Sequence, residues 1–386
     1  MADVQVNSWK CQGSGNDTNS SAKTLKERTE FIKYWNLHRE TRFNFQKILE
    51  PCRHQFKWKP YYNERTPYLI TSANLSGVEL DIKPAGQYSR ILIESFSLMN
   101  TRKTVGGDSW RVFIKGVRSV PSLTIDNLDG TYEVSFLLTE PGYYNVTLSL
   151  EYTLCDGFKD PPLRWFNLGD EQGKNQPPEA LPGYEKAYLE DVYQTIPLEF
   201  SVYRKEYSVF EDMKEQLTTM DHNPCLMWDG FGEWTNQPKW IPNLSEPFKK
   251  KSIKRTKDNA GTFWIYGDSV GRRFFNDIVN TSILCNEIFA KCEHIDFFSQ
   301  STCYTFLESQ GRVELFNAYS TWRLCQSKID VIDIFPMTQS YPFGTGTLER
   351  PHNDSVHFVR TTFQPMEDYL TNFFRVNSTN FLNAQR

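Results

Sequence analysis

From about Tyr61 to Cys155 apolar and polar residues alternate with a period of two, and no other feature of the 386 residues restricts the possible folds as sharply. The runs ILIESFSLMN, WRVFIKG, YEVSFLLTE and YYNVTLSLEYT are rich in β-branched and aromatic side chains, which suit a pleated, half-buried surface. Turn signals separate them: Gly106-Gly107-Asp108, Asp126-Asn127-Leu128-Asp129-Gly130 and Pro141-Gly142. Short strands at this spacing predict an antiparallel β-sandwich over 61–155.

Within that region DGTYEVSF (Asp129 to Phe136), followed by PGYYNVTL (Pro141 to Leu148), resembles the last strands of filamin-type immunoglobulin repeats. The resemblance implies a module for binding or spacing. Residues 1–60 form a polar and then helix-compatible segment, with one or two short helices expected between Thr24 and Glu50 and no chemistry evident. Residues 156–224 read as linker and loops, and IPLEFSVYRKEY (196–207) offers the sandwich one further strand. The segment CLMWDGFGEWTNQPKWIP (Cys225 to Pro242) is dense in Trp; its indoles are expected to seal a core edge, with a carbohydrate-stacking platform as the alternative. The basic run from Phe248 to Lys257 reads as a solvated linker.

Composition bears on setting. Aromatic residues make up 15% of the chain, more than disordered proteins carry, so most of it should fold. A net charge of −4 gives no electrostatic case for nucleic acid. No apolar run approaches the roughly 20 residues that span a bilayer, and MADVQVNSWKC shows no signal peptide. Two features point to the secretory pathway all the same. The Cys count is eight, and eight N-x-[ST] sequons occur, at Asn16, Asn19, Asn74, Asn145, Asn243, Asn280, Asn353 and Asn377.

The chemistry concentrates between Gly261 and Arg386. In GTFWIYGDSVGRRFFNDIV the run FWIY is a strand candidate, Gly267-Asp268-Ser269 a tight turn and RRFFNDIV helix-compatible. Strand–turn–helix suits a nucleophilic serine, because the turn exposes the hydroxyl and the helix N-terminus offers N–H groups to an oxyanion. A second G-D-S, at Gly107-Asp108-Ser109, runs directly into a sandwich strand, so Ser109 reads as structural. A serine nucleophile needs a base, and the base an orienting group. Among six His, His357 stands in Asp354-Ser355-Val356-His357, a spacing that lets one loop present both groups.

Gly267-Asp268-Ser269-x-x-Arg272, Asp354-x-x-His357 and the upstream CLMWDGFGEW together resemble the PC-esterase branch of SGNH/GDSL hydrolases. With the immunoglobulin-like region ahead of them, the chain is similar to the neurexophilin and PC-esterase domain family over roughly 62–155 and 225–386. That resemblance implies a sandwich followed by a three-layer α/β module over 225–386. It also implies an O-acyl esterase or acyltransferase acting on glycans, without cofactor or metal. Ser269 would carry the acyl group, His357 act as base and Asp354 orient it. Arg272 and Gly267 would lie toward the oxyanion or acyl group, with Asn317 the nearest stand-in for an oxyanion Asn. Only 85 positions separate Ser269 from Asp354, where the family places further β–α units, so the parallel sheet is expected to be shortened. Two other readings stand beside the enzyme. One is a non-catalytic interaction glycoprotein that binds a protein partner through the sandwich. The weaker one is a zinc site from Cys285, Cys292, His294 and Cys303, whose spacing lacks the short knuckle of structural zinc modules; disulfides are expected there instead.

Overall fold

The structure, a computed structural model, describes residues 18–54, 66–158, 189, 191–194, 197–220, 225–244, 261–267, 274–276, 278–279, 283–296, 310–329, 331–344 and 358–383. The period-two segments form seven strands: β1 (Thr71–Asp81), β2 (Gln87–Ser97), β3 (Ser109–Gly116), β4 (Arg118–Val120), β5 (Ser122–Asp126), β6 (Thr131–Leu138) and β7 (Gly142–Tyr152). Two short strands follow, β8 (Asp191–Val192) and β9 (Leu198–Val202), the latter inside the 196–207 segment. One sheet has the order β1-β2-β6-β5, and β7 of the other pairs with β3 on one side and with β8 and β9 on the other. All of these pairings are antiparallel.

Alternation decides what fills the space between the sheets. Ile91, Ile93, Val134 and Phe136 from one sheet meet Val112, Ile114, Val146 and Leu148 from the other, all buried. Each such side chain contributes about 1.5–3 kcal/mol by leaving water. The first G-D-S lies at one end of this core. There Asp108 accepts from Thr71, Ser95 and Thr153 hydroxyls and from Lys103 Nζ, each at 2.8 Å. Ser109 opens β3 and is buried.

The described residues before the sandwich form one long helix, α1 (Thr18–Thr41), followed by a short one, α2 (Phe45–Leu49). Phe31, Tyr34, Trp35 and His38 fall at i, i+3, i+4 and i+7 and are buried on one face. That face lies on the outer side of β6, where Tyr34 Oη donates to Glu133 Oε1 (2.6 Å) and His38 Nε2 shares a hydrogen with Ser135 Oγ (2.8 Å). Helix α3 (Val209–Thr219), capped by Ser208 Oγ accepting from Glu211 N, packs Phe210, Met213 and Leu217 beside it. A Cys52–Cys155 disulfide fastens the end of this segment to the end of β7.

The Trp-rich segment forms β10 (Leu226–Trp228), β11 (Gly232–Thr235) and β12 (Trp240–Pro242). Strand β11 pairs with β4 through Trp234↔Ser119, so the hairpin extends the second sandwich sheet to β12-β11-β4-β3-β7-β8. Residue 225 therefore does not divide the sheets as the sequence suggests. Farther on, β13 (Thr262–Gly267) pairs in parallel with β14 (Lys291–Asp296), and β10 in parallel with β15 (Val331–Ile332). Helices α4 (Gln310–Gln326), α5 (Phe335–Gln339) and α6 (Gln364–Asn383) complete this region. Among the described residues parallel pairing occurs as two separate two-stranded units, not one continuous sheet.

Candidate active site

Strand β13 ends at Gly267, level with Asp296 on β14. Residues 274–276 and 278–279 between the two strands are helical, and a helical turn at Leu284–Ile288 leads into β14. This is the strand–helix–strand order in which ligands bind beyond the carboxyl ends of the strands. Ser269 and Arg272 follow Gly267 directly; both, with Asp354 and His357, lie outside the described residues.

Their flanks are described, and they meet. Ile265 of β13, Phe274 and Ile278 of the helical stretch and Phe363 form one buried cluster, against which Phe358 and Ile334 pack. The rings of Phe274 and Phe363 are 6.1 Å apart and those of Phe358 and Phe363 6.4 Å. Phe358 is the residue after His357, while Ile265 and Phe274 bracket Ser269. The segments flanking the two motifs, far apart in sequence, thus share one hydrophobic floor.

Asn317 stands elsewhere. It lies within α4, not at the end of a strand as an oxyanion donor of that type would require, and lines a small cavity with His38, Arg42, Asp333 and Gln339.

Around that cavity is a buried ionic cluster that the sequence reading passed over. Asp229 follows β10 and Asp333 follows β15, so both carboxylates sit at the carboxyl ends of a parallel pair. Arg39 of α1 donates to Asp229 Oδ2 at 2.5 Å. Arg42 lies 3.5 Å from Asp229 Oδ1, donates to the Asp229 carbonyl, and places Nε 3.1 Å from Asp333 Oδ2 in an ion pair not aligned as a hydrogen bond. Both guanidinium groups also lie over the Phe231 ring. Gly230 has φ +68, and a Cβ there would overlap the Asp333 carbonyl, so the approach of the two strand ends requires glycine. The carboxylates are neutralised within the fold, which makes the cluster a joint. His38, beside it, is pushed down to about 3 by burial and then by the charges of Arg39 and Arg42, so it is neutral.

A second cavity, of about 120 Å³, opens where α4 meets the end of the sandwich, lined by Lys47, Trp110, Asp126, Tyr132, Gln310 and Glu314. Glu314 faces both cavities. It accepts from Gln310 Nε2 at 3.2 Å, and burial pushes its carboxyl up to about 7. Asp126 is pushed up to about 6, again by burial, although the Gly107 and Leu128 N–H groups donate to it. Neither the cluster nor the cavity carried a local signal, since each gathers residues from segments remote in sequence.

Two other expectations resolve here. Trp228, Trp234 and Trp240 are buried together with Met337 and Tyr341, so these indoles seal a core and offer no open stacking platform. Cys285 and Cys292 form a disulfide, and Cys225 another with Cys325; the first takes two thiolates from the considered zinc set, a correction that follows from their pairing.

The two packed antiparallel sheets make the N-terminal region a β-sandwich of the immunoglobulin-like class, a description that stands on its strand pairing. The chain is similar to the Lin-41 filamin domain, at 8% identity over 35% of this chain and 98% of that one, with a TM-score of 0.22. It is also similar to FdeC, an Escherichia coli adhesin, at 15% identity over 35% of this chain and a TM-score of 0.21; the match spans 32% of the adhesin. No family model matches the chain.

Proposed function

We propose that this chain is an SGNH-type serine O-acyl esterase or acyltransferase acting on glycans, with Ser269, His357 and Asp354 as its triad. The observation that carries the reading is the shared floor of Ile265, Phe274, Phe363 and Phe358, which holds the flanks of both motifs together. In the reaction, Ser269 Oγ attacks the ester carbonyl while His357 takes the hydroxyl proton and then returns it to the departing alcohol. The acyl-serine is cleared when water, or a sugar hydroxyl, attacks its carbonyl with the proton passing to His357, which returns it to Ser269 Oγ as the acyl–oxygen bond breaks. Arg272 and the turn at Gly267 face the oxyanion. No cofactor enters this scheme. A secretory setting, Golgi lumen or extracellular, is consistent with the three disulfides among the described residues and with eight sequons. A protein partner at the sandwich and a glycan at the triad would be its ligands.

The second reading, an interaction glycoprotein with a vestigial esterase region, is favoured by the separation of the parallel strands, among the described residues, into two units. A fluorophosphonate probe and p-nitrophenyl acetate, applied to the protein and to Ser269→Ala, separate the two. Labelling and acetate release that vanish in the variant are expected. Folded wild-type protein showing neither would overturn the enzyme reading and leave the interaction protein.

A further inference from the structure

One of the eight sequons sits on a feature built to display it. Strand β1 pairs Ser72 with Phe96 and Gly77 with Glu94, so residues 73–76 bulge out opposite Ser95 alone. Asn74-Leu75-Ser76 occupies this bulge. Asn74 and Leu75 are exposed, whereas Ser76 turns inward, its Oγ donating to Ser72 O (2.7 Å) and accepting from Phe96 N (3.2 Å). Asn74 Oδ1 accepts from Gln194 N at 3.0 Å, and among the described residues its Nδ2 makes no hydrogen bond. β1 is also an edge strand of its sheet, and Leu75 leaves an apolar side chain in water there. The β8 segment meets this edge at Ala73, whose N–H donates to Asp191 Oδ2 at 3.1 Å, and leaves Leu75 uncovered, and uncovered edge positions invite pairing with other chains.

We infer that Asn74 is an N-glycosylated residue whose glycan shields the edge of β1. The inference rests on the secretory setting proposed above. The donor is a lipid-diphosphate-linked oligosaccharide. Asn74 Nδ2 forms the bond to the anomeric carbon, the bond from that carbon to the diphosphate oxygen breaks, and one amide proton is released with the lipid diphosphate. The product keeps Oδ1 and one N–H, so the Gln194 hydrogen bond survives. The other two sequons with described side chains are less open. Asn145 lies mid-strand on β7, level with Lys115 on β3 and Glu199 on β9, and is half-buried. Asn243 is half-buried beside the buried Leu244, with its backbone N–H donating to Phe231 O.

The test is expression of the full chain behind a cleavable secretion signal in mammalian cells, then peptide N-glycosidase treatment in heavy-oxygen water. The Asn74 peptide should be recovered as aspartate carrying the isotope, and Asn74→Gln should lose one step of gel mobility shift. An unlabelled Asn74 peptide overturns the inference, whether or not other sequons are labelled. Because the label is read on the unsubstituted protein, a variant that fails to secrete does not obscure the result. Serine-probe labelling of the same material reports on the esterase reading separately, so either can fail alone.

Discussion

Replacing Arg42 with Met should destabilise the protein by about 3–5 kcal/mol, the range for removing one partner of a buried ion pair. Arg42 is the only described group paired to Asp333 by charge; what would remain on that carboxylate is the Phe335 N–H at 2.9 Å. Asp229 would keep Arg39 and lose the second guanidinium. The cost arises less from the lost attraction than from a carboxylate left in a site with almost no water. Adding Asp333→Asn to Arg42→Met removes the stranded charge and should recover part of the loss. Urea denaturation of the two variants and the parent measures both effects. A loss below about 1 kcal/mol for the single variant would show that the cluster behaves as a surface pair does.

The second large effect concerns pH. Glu314 has a native value of about 7 against an ordinary 4.5, so between those values the folded state holds a proton that the unfolded state releases. Its contribution therefore falls as pH rises through that window, by about 1.4 kcal/mol per unit. Glu314→Gln should match the parent near pH 4 and exceed it by up to roughly 3 kcal/mol above pH 7. His38 has the opposite sign. Its native value of about 3 against 6.5 means the unfolded state binds the extra proton, and stability falls as pH drops below 6.5. A His38→Gln difference curve should accordingly open toward acid, where the Glu314 curve closes. Denaturation midpoints from pH 4.5 to 8 test both; parallel curves for parent and Glu314→Gln would show that the carboxyl stays hydrated.

Much of the sandwich was legible because a period of two is imposed by the strand itself. ILIESFS and YYNVTLSLEY could bury one face in few other ways, and the Asp126–Gly130 turn marked where β5 gives way to β6. The continuity of α1 was harder to read. Its buried stripe does follow helical spacing, yet it runs from Phe31 through Trp35 into His38 and Arg39, with the buried Arg42 side chain just past its end, all of which a hydropathy pattern scores as surface. Those polar residues are buried only because Ser135, Asp229 and Asp333 wait for them, and no local window contains such partners. The β11 hairpin was misplaced for the same reason: the pairing of Trp234 with Ser119 joins segments that share no sequence neighbourhood. At the candidate site the turn after Gly267 lies outside the described residues, but the strand ending there and the helical residues 274–276 were readable locally. The convergence of Phe358 with Phe274 through Phe363 was not, because it depends on α6 and the turn before it lying against β13.

The strand pairing of β11 with β4 bears on how this protein could have arisen and how it can be divided. A sandwich that borrows two strands from downstream, and is roofed by a helix from upstream, is not a portable cassette. Excision at residues 61 and 225 would bare the outer face of β6 and leave β4 as a raw edge. Gene fusions or shuffled exons carrying 61–155 alone would inherit the topology and forfeit its cover.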